Sequence, residues 1–295
     1  MKQLFSILGL GLLLTACVPK QETIAVNPYR LSKGQAPWII AHGGAKQLFP
    51  ENTMLAFRGS AEIGVDALEM DVTMTKDEVL VTHHDLTIDR MSDGEGRVID
   101  FTYEELLAYN FGHDFEDLQG NRPYESEAVP IAKLEEVITS FPDHPLMIEL
   151  KDRGEDGKRA AVVLQAMIEE YALKDRVVVV AFSEEVLNYF QGITKGEILI
   201  GTSQEASEDF VFSGLSAMEF LHQPEAAVVA IPTSSAGINL ASRRIINSAH
   251  RRNMAVQYWT INDKETMKSL LEKGADGLIT DRPDLMREVL EEMGW

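Results

Sequence analysis

Read from about residue 38 onward, the chain alternates two kinds of pattern. Short apolar runs rich in β-branched residues fall at Trp38–Ala41, Asp66–Asp71, Leu146–Leu150, Val177–Phe182, Glu197–Gly201, Ala226–Ile231, Ala255–Trp259 and Gly277–Thr280. Between them lie stretches with the 3.6-residue apolar period of helices: Thr53–Ile63, Lys158–Tyr171, Ser183–Gln191, Ser242–Arg252, Lys264–Lys273 and Asp284–Glu292. Strand–helix alternation of this kind predicts a parallel sheet, and eight such units predict a closed α/β barrel. The run Val79–His84 breaks the alternation. Only seven residues separate it from Asp71, too few for a parallel crossover. With Thr75-Lys76-Asp77-Glu78 as its turn, it predicts a hairpin that brings Asp71 and His84 to one end. The segment from about 85 to 145 is too long for a barrel loop and reads as an insertion over the barrel mouth, with Leu134–Phe141 rejoining the wall.

The first residues read differently. Lys2 precedes an apolar run, Leu4–Leu14, which is shorter than the roughly 20 residues of a spanning helix. Leu14-Thr15-Ala16-Cys17 resembles a bacterial lipobox. That resemblance implies cleavage of a signal peptide (1–16), lipid attachment at Cys17, and a tether over 17–36 ahead of the 37–295 barrel. The expected address is the extracytoplasmic face of a bacterial membrane, held by lipid. Cys17 is the single cysteine, so no disulfide forms within the chain. The net charge of −20 argues against a nucleic-acid partner, which needs a basic face, and does not repel a divalent cation.

Several residues carry candidate chemistry. His42 follows the first apolar run and opens His42-Gly43-Gly44, at the strand end where barrels place active sites. Glu69 and Asp71, two apart on a strand, project to one side. Glu149 sits inside the apolar run Leu146–Leu150, where an unpaired carboxylate is costly. Three hard oxygen donors suit one divalent cation, Mg²⁺ or Ca²⁺, better than zinc; for Glu69 and Asp71 a solvated acidic face is the competing reading. Lys151 points with Glu149, toward either a phosphate oxygen or an ion pair with Glu149 or Asp71. His83 and His84 point to opposite faces, and either supplies a second imidazole for acid/base work. Trp259 is either core or a substrate contact.

Taken in order, AHGG at His42, PENT at Pro50–Thr53, LEMDV at Leu68–Val72, TKDEVLVTHHD ending at Asp85, IELK at Ile148–Lys151, WTIND at Trp259–Asp263 and GADGLITDRP at Gly274–Pro283 resemble the glycerophosphodiester phosphodiesterase family. The resemblance implies a distorted (β/α)8 TIM barrel with a small insertion. It implies His42 and His84 as the acid/base pair, Glu69, Asp71 and Glu149 as metal ligands, and Lys151 and Trp259 at the substrate. It assigns no role to Asn262 or Asp281. The implied reaction releases glycerol 3-phosphate and an alcohol; by similarity to phosphoinositide phospholipases, the substrate's own hydroxyl attacks phosphorus first. Alternatives within the same chemistry are a lysophospholipase D and a polyglycerophosphate hydrolase. A third is a lipoprotein that binds phosphate esters without turnover. The chain departs from the family at Gly43, where an arginine is usual; Lys151, Lys46 and Arg90 are the candidates to replace its charge.

Overall fold

All eight apolar runs form strands in the computed structural model, which describes residues 27–181, 183–216 and 226–295. In chain order the strands are β1 (Trp38–Ala41), β2 (Ala67–Met74), β3 (Leu80–Thr82), β4 (Leu146–Leu150), β5 (Val177–Ala181), β6 (Leu199–Ile200), β7 (Val228–Ile231), β8 (Ser234–Ser235), β9 (Ile238–Asn239), β10 (Ala255–Tyr258) and β11 (Gly277–Thr280). Eight of them pair in parallel in the order β6-β5-β4-β2-β1-β11-β10-β7. The two ends meet: the Ala227 amide donates to Ile200 O at 2.8 Å, and the Thr202 amide to Val228 O at 2.9 Å. The sheet is therefore a nearly closed (β/α)8 barrel.

The strands are apolar on both faces because both faces are covered. Outward residues such as Ile39, Leu68, Met70, Ile148 and Leu278 pack under the helices. Inward residues such as Ile40, Ala67, Met147, Val178 and Ile279 fill the barrel interior. The surrounding helices are α1 (Met54–Ile63), α2 (Tyr103–Leu106), α3 (Leu134–Ser140), α4 (Gly154–Glu170), α5 (Glu184–Ile193), α6 (Gln204–Ser216), α7 (Arg243–Arg251), α8 (Lys264–Lys273) and α9 (Pro283–Met293). Several start on side-chain caps that satisfy orphan amides: Thr53 for α1, Ser183 for α5, Ser242 for α7 and Asp263 for α8. Two helices have no counterpart in the sequence reading: the four-residue α2 in the insertion, and α6. The apolar residues of α6 crowd its second half, so no helical stripe stands out.

β3 is antiparallel to β2, with Val72 opposite Thr82 and Met74 opposite Leu80. The hairpin is as expected, and β2 runs three residues past Asp71 to reach it. The Thr75 hydroxyl closes the turn on Asp77 and Val79. The His83 amide then bonds Asp71 O at 2.9 Å, which fixes the histidine pair beside the end of β2. Residues beyond it fold round a small core of their own, including Val81, Ile88, Leu106 and Phe111, before α3 returns the chain to the barrel.

Cys17 and the signal run lie outside the described residues. Asn27–Leu31, the first described part of the expected tether, are tied to the barrel floor. Asn27 Nδ2 donates to Ala227 O and Asn253 O at 2.7 and 2.8 Å. Arg30 pairs with buried Asp276 at 2.9 Å. Tyr29 enters the interior cluster against Trp38. The packed chain thus begins ahead of residue 37.

Candidate active site

Strand alternation and register bring the three carboxylates together. Ala67, Glu69 and Asp71 share one face of β2, and Asp71 lies directly beside Glu149 on β4. One oxygen from each of Glu69, Asp71 and Glu149 falls within 4.8 Å of the others. Glu69 and Asp71 are only 4% and 1% exposed, so each charge needs a partner. The Gly43 amide donates to Glu69 Oε2 at 2.7 Å. Asn52 donates from Nδ2 to Asp71 Oδ2 at 2.8 Å and accepts the Asp71 amide on Oδ1 at 3.0 Å. Lys151 Nζ lies 2.9 Å from Asp71 and 2.8 Å from Glu149, which is the ion-pair alternative of the sequence reading. Lys46 Nζ lies 3.5 Å from Asp71 and 3.5 Å from Glu51.

Burial and the neighbouring Asp71 charge hold the Glu69 carboxyl up to about 7, against the pull of His42 and Lys46. Burial likewise raises Glu149 in spite of Lys151. Burial would raise Asp71 too, but Lys46 and Lys151 outweigh it and keep that carboxyl ionised. Two of the three acids are thus held above the ordinary carboxylate range by burial and by their neighbours' negative charge. An all-oxygen donor set short of one cation fits a hard divalent ion.

Each histidine is oriented by an acid. His42 follows β1, and Asp281 follows its neighbour β11, since Ala41 pairs with Thr280. Their Nδ1···Oδ1 contact is 2.6 Å. Asn262 holds the other Asp281 oxygen at 2.7 Å and accepts the Asp281 amide at 2.9 Å. Burial alone would lower the His42 pKa; the Asp281 bond and Glu69 raise it above the ordinary value. A carboxylate on Nδ1 fixes the tautomer and leaves Nε2 for chemistry. His84 Nδ1 contacts Asp85 at 2.7 Å, Asp85 pairs with Arg90 at 2.6 Å, and Arg90 reaches Glu51 at 2.6 Å. His83 turns the other way: it is buried against Phe111, with Nε2 on Thr87 O. The roles of Asp281, Asn262 and Asp85 were unassigned in the sequence. Their signal was position: Asp281 one residue past a strand end, Asp85 beside a histidine, and Asn262 in the loop that follows β10.

His42, His84, Glu69, Asp71, Glu149 and Lys151 line one cleft of about 690 Å³, and half-buried Trp259 lines it as well. The remaining wall comes from the ends of β5 and β7, from α6 and from residues 231–240. Of residues 80–133, only His84 reaches the cleft lining. From the insertion, Asp85 and Arg90 brace that histidine; α6 and the β8–β9 hairpin form the opposite rim. Gly43 has φ +51°, and a Cβ there would fall 2.4 Å from Lys46 Cε. Lys46 already fills the space that a side chain at 43 would enter.

Residues 42–285 match the glycerophosphoryl diester phosphodiesterase family. The chain belongs to that family. A glycerophosphodiester phosphodiesterase of Bacillus altitudinis is 30% identical, over 86% of this chain and 98% of its own. One from Caldanaerobacter subterraneus is 27% identical, over 87% and 98%. Among solved structures, the glycerophosphoryl diester phosphodiesterase domain of a Mycobacterium tuberculosis protein has the same fold, with TM-score 0.76, 19% identity and coverage of 88% and 100%. So does an Oleispira antarctica phosphodiesterase in complex with its product sn-glycerol-3-phosphate, with TM-score 0.69, 21% identity and coverage of 86% and 97%. As a family member the chain is a phosphodiesterase, and its acidic cluster is suited to a metal ion.

Proposed function

We propose that this phosphodiesterase cleaves glycerophosphodiesters to glycerol 3-phosphate and an alcohol, with His42 and His84 moving the protons. The observation that carries the reading is the convergence of two acid-braced imidazoles on a carboxylate cluster inside one cleft. Glu69, Asp71 and Glu149 would hold one Mg²⁺ or Ca²⁺, which supplies fixed positive charge against the phosphoryl oxygens. The imidazoles divide two tasks: taking the proton of the attacking oxygen and giving one to the leaving oxygen. Asp281 stabilises the imidazolium of His42, and Asp85 orients the ring of His84. Lys151, now spanning Asp71 and Glu149, is the cation at the substrate phosphate. Lys46 stands in for the arginine absent at position 43, so the departure at Gly43 does not favour binding without turnover. Trp259 flanks the bound substrate.

Release of glycerol 3-phosphate from glycerophosphocholine and glycerophosphoethanolamine, before and after EDTA, tests the reading. Turnover that stops with chelator and returns with Mg²⁺ or Ca²⁺ supports it. Metal-independent turnover, or none on either diester, contradicts it.

The same proposal places the protein on the outer face of a bacterial membrane, held by lipid on Cys17. Support comes from Leu14-Thr15-Ala16-Cys17 after an apolar run. Among the described residues no helix is long and apolar enough to cross a membrane. Cys17→Ala should move the protein from the membrane fraction to the soluble one; unchanged fractionation would refute anchoring.

A further inference from the structure

Lys151 Nζ lies between two of the three acids, 2.9 Å from Asp71 Oδ1 and 2.8 Å from Glu149 Oε1. It already supplies positive charge of the kind that a cation in the cluster would bring. Both Asp71 oxygens are engaged, since Oδ2 accepts from Asn52 Nδ2 at 2.8 Å. An ion that takes Asp71 as a ligand therefore meets the Asn52 amide or the Lys151 ammonium.

The two groups are held very differently. Asn52 is buried. Its Oδ1 accepts the Asp71 amide at 3.0 Å, its own amide donates to Gly43 O at 2.8 Å, and its carbonyl accepts the Thr82 hydroxyl at 2.7 Å. Lys151 follows β4, where its amide donates to Val72 O at 3.0 Å. Its side chain is a long flexible stem that lines the cleft. A neutral amide tolerates a divalent cation nearby, whereas an ammonium within a few ångströms of one, in a poorly hydrated site, is strongly repelled. Repulsion thus acts on the group that can move, and the cleft is the space beside it.

We infer that Lys151 couples the cation to the substrate: it neutralises Asp71 and Glu149 while the cluster holds no metal ion, and on binding of a divalent cation it swings into the cleft to pair with the phosphate ester. The inference rests on the diesterase reading above and adds how that site is regulated. The two ligands share one ammonium. Cation binding breaks its two ion pairs, and an anionic ester provides a new one. Each ligand therefore raises the affinity for the other by the same factor. Without the cation, a phosphodiester meets an ammonium already committed to carboxylates, so the protein does not hold substrate that it cannot turn over. Lys46 does not share this task. It stands 3.5 Å from Asp71 and 3.5 Å from Glu51, in the space beside Gly43.

Calorimetry on the full chain, stripped of metal, tests this with Mg²⁺, Ca²⁺ and glycerol 3-phosphate as probes. In the wild type each cation and glycerol 3-phosphate should tighten each other's binding. Lys151→Met should bind the cation about tenfold more tightly, having no ion pairs to break, and should lose about tenfold of the coupling, a size usual for linked sites. Cation affinity that is unchanged or weaker in the variant, or coupling equal to the wild type, overturns the inference alone. Wild-type protein that binds neither ion overturns the diesterase reading and the inference with it. A second measurement needs no variant. Acetylation by an N-hydroxysuccinimide ester, followed by peptide mass spectrometry, reports how accessible Lys151 is, with exposed Lys33 as the internal reference. The cation should speed acetylation of Lys151 relative to Lys33, and glycerol 3-phosphate should then slow it. A cation that leaves the Lys151 rate unchanged, or lowers it, shows an ammonium that stays on the acids.

Discussion

On one side of the barrel mouth, β1, β2 and β4 lead into His42, Glu69, Asp71 and Glu149. Across the cleft, β7 and β10 lead into Ile231, Pro232 and Trp259. The strands are equivalent in the fold, but the two sides are held by different forces. Every acid on the first side has a named partner at hydrogen-bond or ion-pair distance: Gly43 for Glu69, Asn52 for Asp71, Lys151 for Glu149. The second side is defined by shape, and its lip stays open to water. Reaction chemistry fixes the first side within tenths of an ångström, while the second can vary and so is free to select substrates.

The contrast breaks most sharply under substitution of the first side. His42→Ala should lower kcat on glycerophosphodiesters by about 10²–10⁴, the usual worth of a positioned acid or base. A loss below tenfold would remove His42 from proton transfer.

The next effect is on stability. Glu69 has its folded pKa at about 7, above the ordinary 4.5. Between those values the folded protein keeps a proton that the unfolded chain has released. The stability this contributes is therefore present below pH 4.5 and is lost as pH rises through 7. It amounts to up to about 3 kcal/mol for a shift of this size. Urea midpoints in EDTA should fall from pH 5 to pH 8, and Mg²⁺ or Ca²⁺ should cancel the fall by stabilising the ionised carboxylate. Identical slopes with and without cation would place the ion elsewhere.

Smaller is the effect of the brace on His42. Asp281→Asn should cost roughly 10–100-fold in kcat, as for other groups that orient a functional histidine. It should also lower the pKa that governs His42, since the Asp281 bond raises it. A fall in kcat with an unmoved pH profile would make Asp281 merely structural.

Smallest is Arg90→Met. Arg90 is more than half exposed, and exposed pairs are worth about 0–1 kcal/mol. A loss within about fivefold is expected; a hundredfold loss would show that the Arg90 bridge from Asp85 to Glu51 positions His84 directly.

The two sides were also unequally legible in the sequence. Barrel strands announce themselves because burial on both faces demands apolar runs, and Glu149 stood out as a charge inside one. The β2–β3 hairpin followed from the shortness of its connection. Glu69 and Asp71 were visible through their spacing of two. Asp281 was not, because its meaning depends on the register that sets Thr280 beside Ala41, and register is not written in local pattern. Lys46 needed the coordinates to show that it fills the space beside Gly43. The far wall was least legible. It draws on α6, whose apolar residues show no stripe, and on two-residue strands too short to produce an alternation.

The N-terminal stretch Asn27–Leu31 has a directional consequence. Its bonds go to Ala227, Asn253 and Asp276, each just ahead of a barrel strand and so on the floor of the barrel. His42, Asp281 and Trp259 sit past strand ends, on the opposite face. The N-terminal stretch thus joins the barrel on the face opposite the mouth, so an attachment at that end would leave the cleft unobstructed.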